Sequence, residues 1–194
     1  MGSALVQFAT MLALGQLAQP SKPAGAHVQP TVMVRSLYSE VVARHPNGIP
    51  KGADMKALAP FLSKSLLHRI DLARACENDY YRGHKGSTNK PEFDWLEFGL
   101  FTGANELVSP DAFHIERTQP ERDGSFRVNV RLSSGPHSEP WIWHVVPIVL
   151  REKGHFAVDD VIFLKDEKNL ETQSRLSEIL AGPCNGPHWI GYGK

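Results

Sequence analysis

The chain is expected to fold as an α+β domain, with helices first and an antiparallel sheet after them. Two apolar runs, residues 141–150 and 155–164, have the length of strands and are separated by a short polar turn. Helical spacing of apolar residues precedes them in residues 32–42 and 64–81 and returns in residues 170–180. Helices and strands that are segregated in this way are typical of the α+β class.

Composition places the chain among ordinary globular proteins. It has 194 residues, enough for one domain, and it is 41% hydrophobic and 22% charged. These values exclude the disordered and fibrous classes. The formal net charge is zero and no long run of Lys and Arg occurs, so nucleic-acid binding is not expected.

The helical elements are defined by their apolar spacing and by the residues that flank them. Pro30 precedes the first pattern, which ends at the breaker-rich segment 45–50. Ser63 is well placed to cap a second helix over residues 64–81. The buried face of this second helix is expected to comprise Leu66, Leu67, Ile70, Ala73, Ala75 and Cys76.

The strands are recognised by alternation. Residues 113–117 alternate weakly, whereas residues 125–132 alternate clearly between apolar and polar side chains. Pro147 removes one backbone donor from the run 141–150, which predicts a bulge or a local edge there. The last helix is expected over residues 170–180.

The N-terminal segment is typical of an export signal. Residues Ala4 to Ala18 are largely apolar and uncharged, and at about 15 residues the run is short for a membrane span. It has the length of the apolar region of a signal peptide, and Ala24-Gly25-Ala26 offers a cleavage site. We therefore expect a signal peptide over residues 1–26, one domain over residues 27–194, and a periplasmic or secreted location. No Lys or Arg precedes the run, so a misassigned start codon and an ordinary amphipathic helix are the alternatives.

Two cysteines, Cys76 and Cys184, bear on the same question. An even count in an exported protein favours a disulfide between them. Two unrelated buried thiols are the alternative. Neither cysteine has a partner at zinc-binding spacing, so no metal site is expected.

Several sequence pieces resemble the cystatin-like superfamily of nuclear transport factor two, and within it a family of exported bacterial proteins without an assigned activity. The pieces are Phe61-Leu62-Ser63, Cys76 with Asp79-Tyr80, Asp94 with Gly99-Leu100-Phe101-Thr102, residues 156–161, and residues 182–186 with 189–192. The resemblance covers about residues 30–192. It implies a cone in which N-terminal helices pack on a curved antiparallel sheet. Dimers formed through the outer sheet face occur in this superfamily, so a homodimer is a further expectation.

Three polar residues are candidates for catalysis. His144 could act as a general base, although a core or rim histidine is the more ordinary role. Asp159 and Asp160 are adjacent in an apolar strand, so their side chains should point to opposite faces. One carboxylate would then lie inside the cone, where it could transfer protons. The alternative is that both are structural, hydrogen-bonded carboxylates.

Aromatic residues are the candidates for binding. Trp95 and Phe98 lie in a predicted loop rich in proline and acidic residues and could be exposed anchors for a protein partner, or they could fill the cone. Trp143, with His144 and Asp160, could lie at the mouth of a ligand pocket. Packing of Trp143 against a helix is the alternative.

Three functional hypotheses follow. The favoured one is an exported binding or interaction domain, such as an inhibitor or immunity-type protein that acts on a cell-envelope protein. The second is a cone that binds a small hydrophobic ligand. The third is an isomerase or dehydratase that uses His144 and an aspartate. No familiar catalytic motif occurs and no cofactor is expected. A deep pocket would favour the second hypothesis, and an aspartate within hydrogen-bond reach of His144 would favour the third.

Overall fold

The computed structural model has helices first and a five-stranded antiparallel sheet after them, which confirms the predicted α+β class. It describes residues 29–85, 93–104, 108–136, 138–164 and 172–191. The expected signal peptide, residues 1–26, lies outside the described residues.

Two helices of the first half match the helical patterns predicted from the sequence, and the described residues there also include two short helices. The elements are α1 (Pro30–Arg44), α2 (Gly52–Leu58), a 3-10 turn (Ala59–Phe61), α3 (Lys64–Gly83) and α4 (Asp94–Glu97). The two that match are α1 and α3. Pro30 occupies the first turn of α1, where its missing N–H costs no hydrogen bond. Ser63 caps α3 as predicted, because its Oγ accepts a hydrogen bond from the N–H of Leu66 at 2.9 Å.

The sheet is a meander in which each strand pairs with the next along the chain. Its strands are β1 (Ala112–Pro120), β2 (Phe126–Ser134), β3 (Trp141–Glu152), β4 (His155–Leu164) and β5 (Thr172–Arg175). The alternation predicted for β2 is observed, since Val128, Val130 and Leu132 are fully buried. Helix α1 contacts β1 to β4, so the core lies between this helix and one face of the sheet.

The predicted last helix is wrong over its first half. Of the predicted range, residues 172–175 form strand β5, and only Leu176–Ala181 form a helix, α5. Leu170 lies outside the described residues. Strand β5 forms because its backbone pairs with the edge of β4, for example Arg175 opposite Ile162. Helical periodicity in the sequence carries no information about such pairing.

The irregularity expected near Pro147 lies in the neighbouring strand. Pro147 is opposite Val161, and the register between β3 and β4 shifts at the next step, between Ile148 and Val149. Ile148 pairs with Asp160 and Val149 pairs with Val158, so Asp159 is the extra residue of a bulge in β4.

The predicted disulfide joins Cys76 of α3 to Cys184, across a sequence separation of 108. Cys184 begins a small hairpin formed by β6 (Cys184–Asn185) and β7 (His188–Trp189). This hairpin also packs on α3, because an Asp79 oxygen accepts the N–H of Trp189 at 3.2 Å. That hydrogen bond, together with one from Arg82, lowers the pKa of Asp79.

Within the described part of the chain, no helix has the length and apolar character that a membrane crossing requires.

Replacing both Cys76 and Cys184 by Ala should lower the free energy of unfolding. In the chain-entropy model, a cross-link across about 100 residues contributes about 4 to 5 kcal/mol. The measurement is urea unfolding of the variant and of the wild type. The wild type in a strong reductant is the matched control and should resemble the variant. Equal unfolding midpoints for the oxidised wild type and the variant would show that the bridge does not stabilise the fold.

Candidate functional site

A cavity of about 310 Å³ lies between β5, α5 and the segment 95–103. We call it the α5 pocket. Six apolar side chains line it, those of Trp95, Phe98, Leu100, Phe163, Leu176 and Ile179, but its surface is about equally polar and apolar. Gln173 and Ser174 of β5 add an amide and a hydroxyl. Among the described residues that line the pocket, none is charged.

Two aromatic residues from the sequence prediction meet at this pocket, but only one is exposed. Trp95 is fully buried and stacks on Phe93, with ring centroids 4.6 Å apart. The role of an exposed anchor is therefore wrong for Trp95, and the interior role is observed. Phe98 is 37% exposed and also lines the pocket, so it lies at the rim.

A tight loop, residues 99–104, forms one side of the pocket. The Gly99 N–H donates to the carbonyl of Ala104, and the Gly103 N–H donates to the carbonyl of Gly99, each at 2.8 Å. Gly103 has φ +64°, and a Cβ there would lie 2.5 Å from a ring carbon of Phe163. Only glycine combines this backbone conformation with such close packing.

Two core side chains hold this loop from behind. The Tyr38 hydroxyl donates to the carbonyl of Phe101, and Trp143 Nε1 donates to the carbonyl of Thr102, each at 2.9 Å. Burial raises the pKa of Tyr38, so its hydroxyl keeps the proton that it donates. Trp143 packs against the core and is not among the pocket-lining residues, which favours its predicted packing role.

Asp160 fixes the start of α5. Its Oδ1 accepts the backbone N–H groups of Val161 and Ser177, each at 2.9 Å. Its Oδ2 accepts the Ser177 hydroxyl at 2.8 Å and lies 3.4 Å from Arg175 Nε. A carboxylate at the first turn of a helix stabilises it by hydrogen bonding and by favourable charge. Asp160 therefore acts as a structural carboxylate.

Asp159 performs a similar task for α3. Its Oδ1 accepts the hydroxyl of Ser63 at 2.5 Å, and its Oδ2 lies 3.1 Å from Arg69 Nη2. Arg69 also donates to the Asp159 carbonyl at 2.8 Å. The prediction that one carboxylate of the pair points into a cone is not supported, because the bulge breaks the alternation and both carboxylates bind helix starts.

His144 lies away from the α5 pocket. Adjacent strand residues point to opposite faces, so His144 and Trp143 face opposite sides of the sheet. His144 Nε2 is 3.4 Å from Glu116 Oε1, and the side chain is 11% exposed. Asp160 faces Ile148, four residues further along β3, which corresponds to roughly 13 Å. The acidic partner of His144 is thus Glu116, and the structure does not bring His144 and Asp160 together.

Sequence reasoning missed most of the pocket. Leu176 and Ile179 carried a signal, because they are apolar positions of a helical pattern, but that signal predicted core packing. Gln173 and Ser174 line the pocket only because β5 is a strand at the edge of the sheet. No local pattern in the sequence indicated that strand.

Comparison with known proteins gives no additional guide to this site. No protein-family model, no curated protein and no solved structure matches the chain. The functional argument therefore depends on the geometry of the pocket and on the chemistry of its walls.

Replacing Asp160 by Ala should destabilise the fold by about 2 kcal/mol, because Ser177 loses the acceptor for both its N–H and its hydroxyl. Asp160→Asn keeps one carbonyl oxygen and should cost less. Asp71→Ala is the control, since Asp71 pairs with Arg74 at the surface and exposed pairs contribute little. The measurement is thermal unfolding. If Asp160→Ala lowers the stability no more than Asp71→Ala does, the structural role of Asp160 is contradicted.

Proposed function

We propose that this chain is an exported binding domain and that its recognition site is the α5 pocket. The observation that carries the proposal is a cavity of about 310 Å³ lined by six apolar side chains and a few polar groups, with no charged side chain among the described lining residues. Ligand sites in proteins are typically concave and mostly apolar, with volumes from about 300 Å³ upwards. The pocket is therefore of a size for a small hydrophobic ligand or for one large apolar side chain.

The walls of the pocket are held in place by the rest of the fold, which supports a binding role. Trp95 is stacked on Phe93, the loop 99–104 is bonded to Tyr38 and Trp143, and α5 is capped by Asp160. A site that is formed before binding loses little conformational entropy when its ligand arrives.

Export is the second part of the proposal. The Cys76–Cys184 disulfide supports it, because such bonds persist in oxidising compartments outside the cytosol. The apolar N-terminal run supports it independently. In this proposal the domain has the cystatin-like cone form that the resemblance implies, and it works in the periplasm or outside the cell.

A protein partner is the second candidate for the occupant. Phe98 favours it, because a partly exposed aromatic side chain at the rim of a pocket is typical of protein interfaces. An envelope protein would insert an apolar side chain into the α5 pocket, and the chain would then act as an inhibitor or an immunity-type protein. An isomerase or dehydratase is not proposed, because His144, Asp159 and Asp160 do not line the pocket.

The binding role is tested with naphthalene as a neutral apolar probe, followed by the NMR signals of the probe. The wild type should bind it. Ile179→Trp adds bulk to a pocket wall and should weaken binding about tenfold or more, equivalent to about 1.4 kcal/mol. Ile190→Trp is the matched control, because Ile190 is 65% exposed and is not a pocket-lining residue. The proposal fails if the wild type does not bind, or if the two variants bind equally.

Export is tested by the intact mass of the protein, expressed from the full-length sequence and recovered from the periplasm without reductant. The recovered protein is expected to begin at His27. Its mass should be about 2 Da below that of the reduced protein, because disulfide formation removes two hydrogens. A full-length mass with both thiols present would contradict export. The same sample after reduction serves as the control.

A further inference from the structure

We infer that the ligand of the α5 pocket is an uncharged, mainly apolar small molecule with a hydrogen-bond acceptor, and that Trp95 Nε1–H donates to this acceptor. The inference builds on the proposed binding function and names the chemical class of the ligand.

The indole N–H of Trp95 is a donor without an acceptor. Trp95 is fully buried, it lines the pocket, and its Nε1 has no hydrogen-bond partner. An indole nitrogen can only donate, and nearly all buried polar groups in proteins are hydrogen-bonded. The equivalent atom of Trp143 shows the ordinary situation, since it donates to the carbonyl of Thr102.

Trp95 is distinguished from other unpartnered groups by its location. The described part of the chain has four further buried side-chain atoms without a hydrogen-bond partner, in Arg69, Glu77, His144 and Arg175. None of these four residues lines the α5 pocket. Arg69 and Arg175 line other cavities, so Trp95 is the described residue that brings an unpartnered buried donor to the α5 pocket.

The charge of the ligand follows from the pocket walls. No charged side chain is found among the described lining residues, so a charged ligand would lose its hydration without gaining a counter-charge. A groove that does contain charged side chains lies elsewhere, beside Arg127, Arg175 and Glu121. An anionic or cationic ligand would find partners there and not in the α5 pocket.

Binding requires a small local shift beside Trp95 in a pocket that is otherwise preformed. Trp95 Nε1 exposes almost no surface, so the acceptor reaches it when a neighbouring side chain shifts. Gln173 and Ser174 then offer further polar contacts.

The test compares three small aromatic molecules that bind to the full chain: acetophenone, ethylbenzene and benzoate. Acetophenone and ethylbenzene are similar in shape, but only acetophenone has an acceptor oxygen. Acetophenone should bind about fivefold tighter than ethylbenzene, as expected for one net hydrogen bond. Benzoate carries a charge and should bind more weakly than both. In the ¹⁵N–¹H NMR spectrum, the Trp95 indole signal should shift with acetophenone and not with ethylbenzene.

Trp95→Phe keeps an aromatic ring and removes the N–H, so acetophenone and ethylbenzene should then bind equally. Trp141→Phe is the control and should keep the preference, because Trp141 is exposed and is not a lining residue. If Trp95→Phe fails to fold, the inference is tested by the wild-type Trp95 indole signal, which should shift with acetophenone and not with ethylbenzene.

Equal affinities of the wild type for acetophenone and ethylbenzene, or an indole signal that acetophenone does not shift, would overturn the inference and leave the binding function intact. Absence of binding by both molecules would overturn the binding function as well. Benzoate as the tightest ligand would overturn the assignment of an uncharged ligand.

Discussion

Two adjacent carboxylates at the bulge of β4 tie the starts of α3 and α5 to the sheet. Asp159 accepts the hydroxyl of Ser63, the cap of α3, and Asp160 accepts the N–H and the hydroxyl of Ser177 in the first turn of α5. Asp159 is the extra residue of the bulge, and the two adjacent carboxylates reach the starts of two different helices. The α5 pocket depends on this arrangement, since Leu176 beside Ser177 is part of its wall.

The disulfide adds a second tie between the same helices. Cys76 lies in α3, and Cys184 follows shortly after α5, so the bridge holds the end of α5 while Asp160 holds its start. Gly182, between α5 and the bridge, approaches Trp95 so closely that a Cβ there would lie 3.0 Å from the indole ring. The covalent bond and the hydrogen-bonded carboxylate thus hold one pocket wall from both ends, which explains how a helix of six residues keeps its position.

Local patterns in the sequence predicted the elements that depend on local chemistry. The helix capped by Ser63 and the strand His155–Leu164 were predicted because periodicity and capping are properties of neighbouring residues. Strand β5 was missed, because it forms by pairing with β4 and its sequence has neither a turn signal nor an alternating pattern. The pocket was missed for a similar reason. An apolar residue such as Ile179 looks the same in sequence whether its neighbours close over it or leave a cavity.

The central claim is that the α5 pocket is the binding site, and the location of a bound probe tests it most directly. The measurement is the set of nuclear Overhauser effects between naphthalene and the methyl groups of isotope-labelled Leu and Ile. The account predicts contacts to Leu100, Leu176 and Ile179. Contacts to Ile148 and Ile162, which line the charged groove near Arg175, would contradict it.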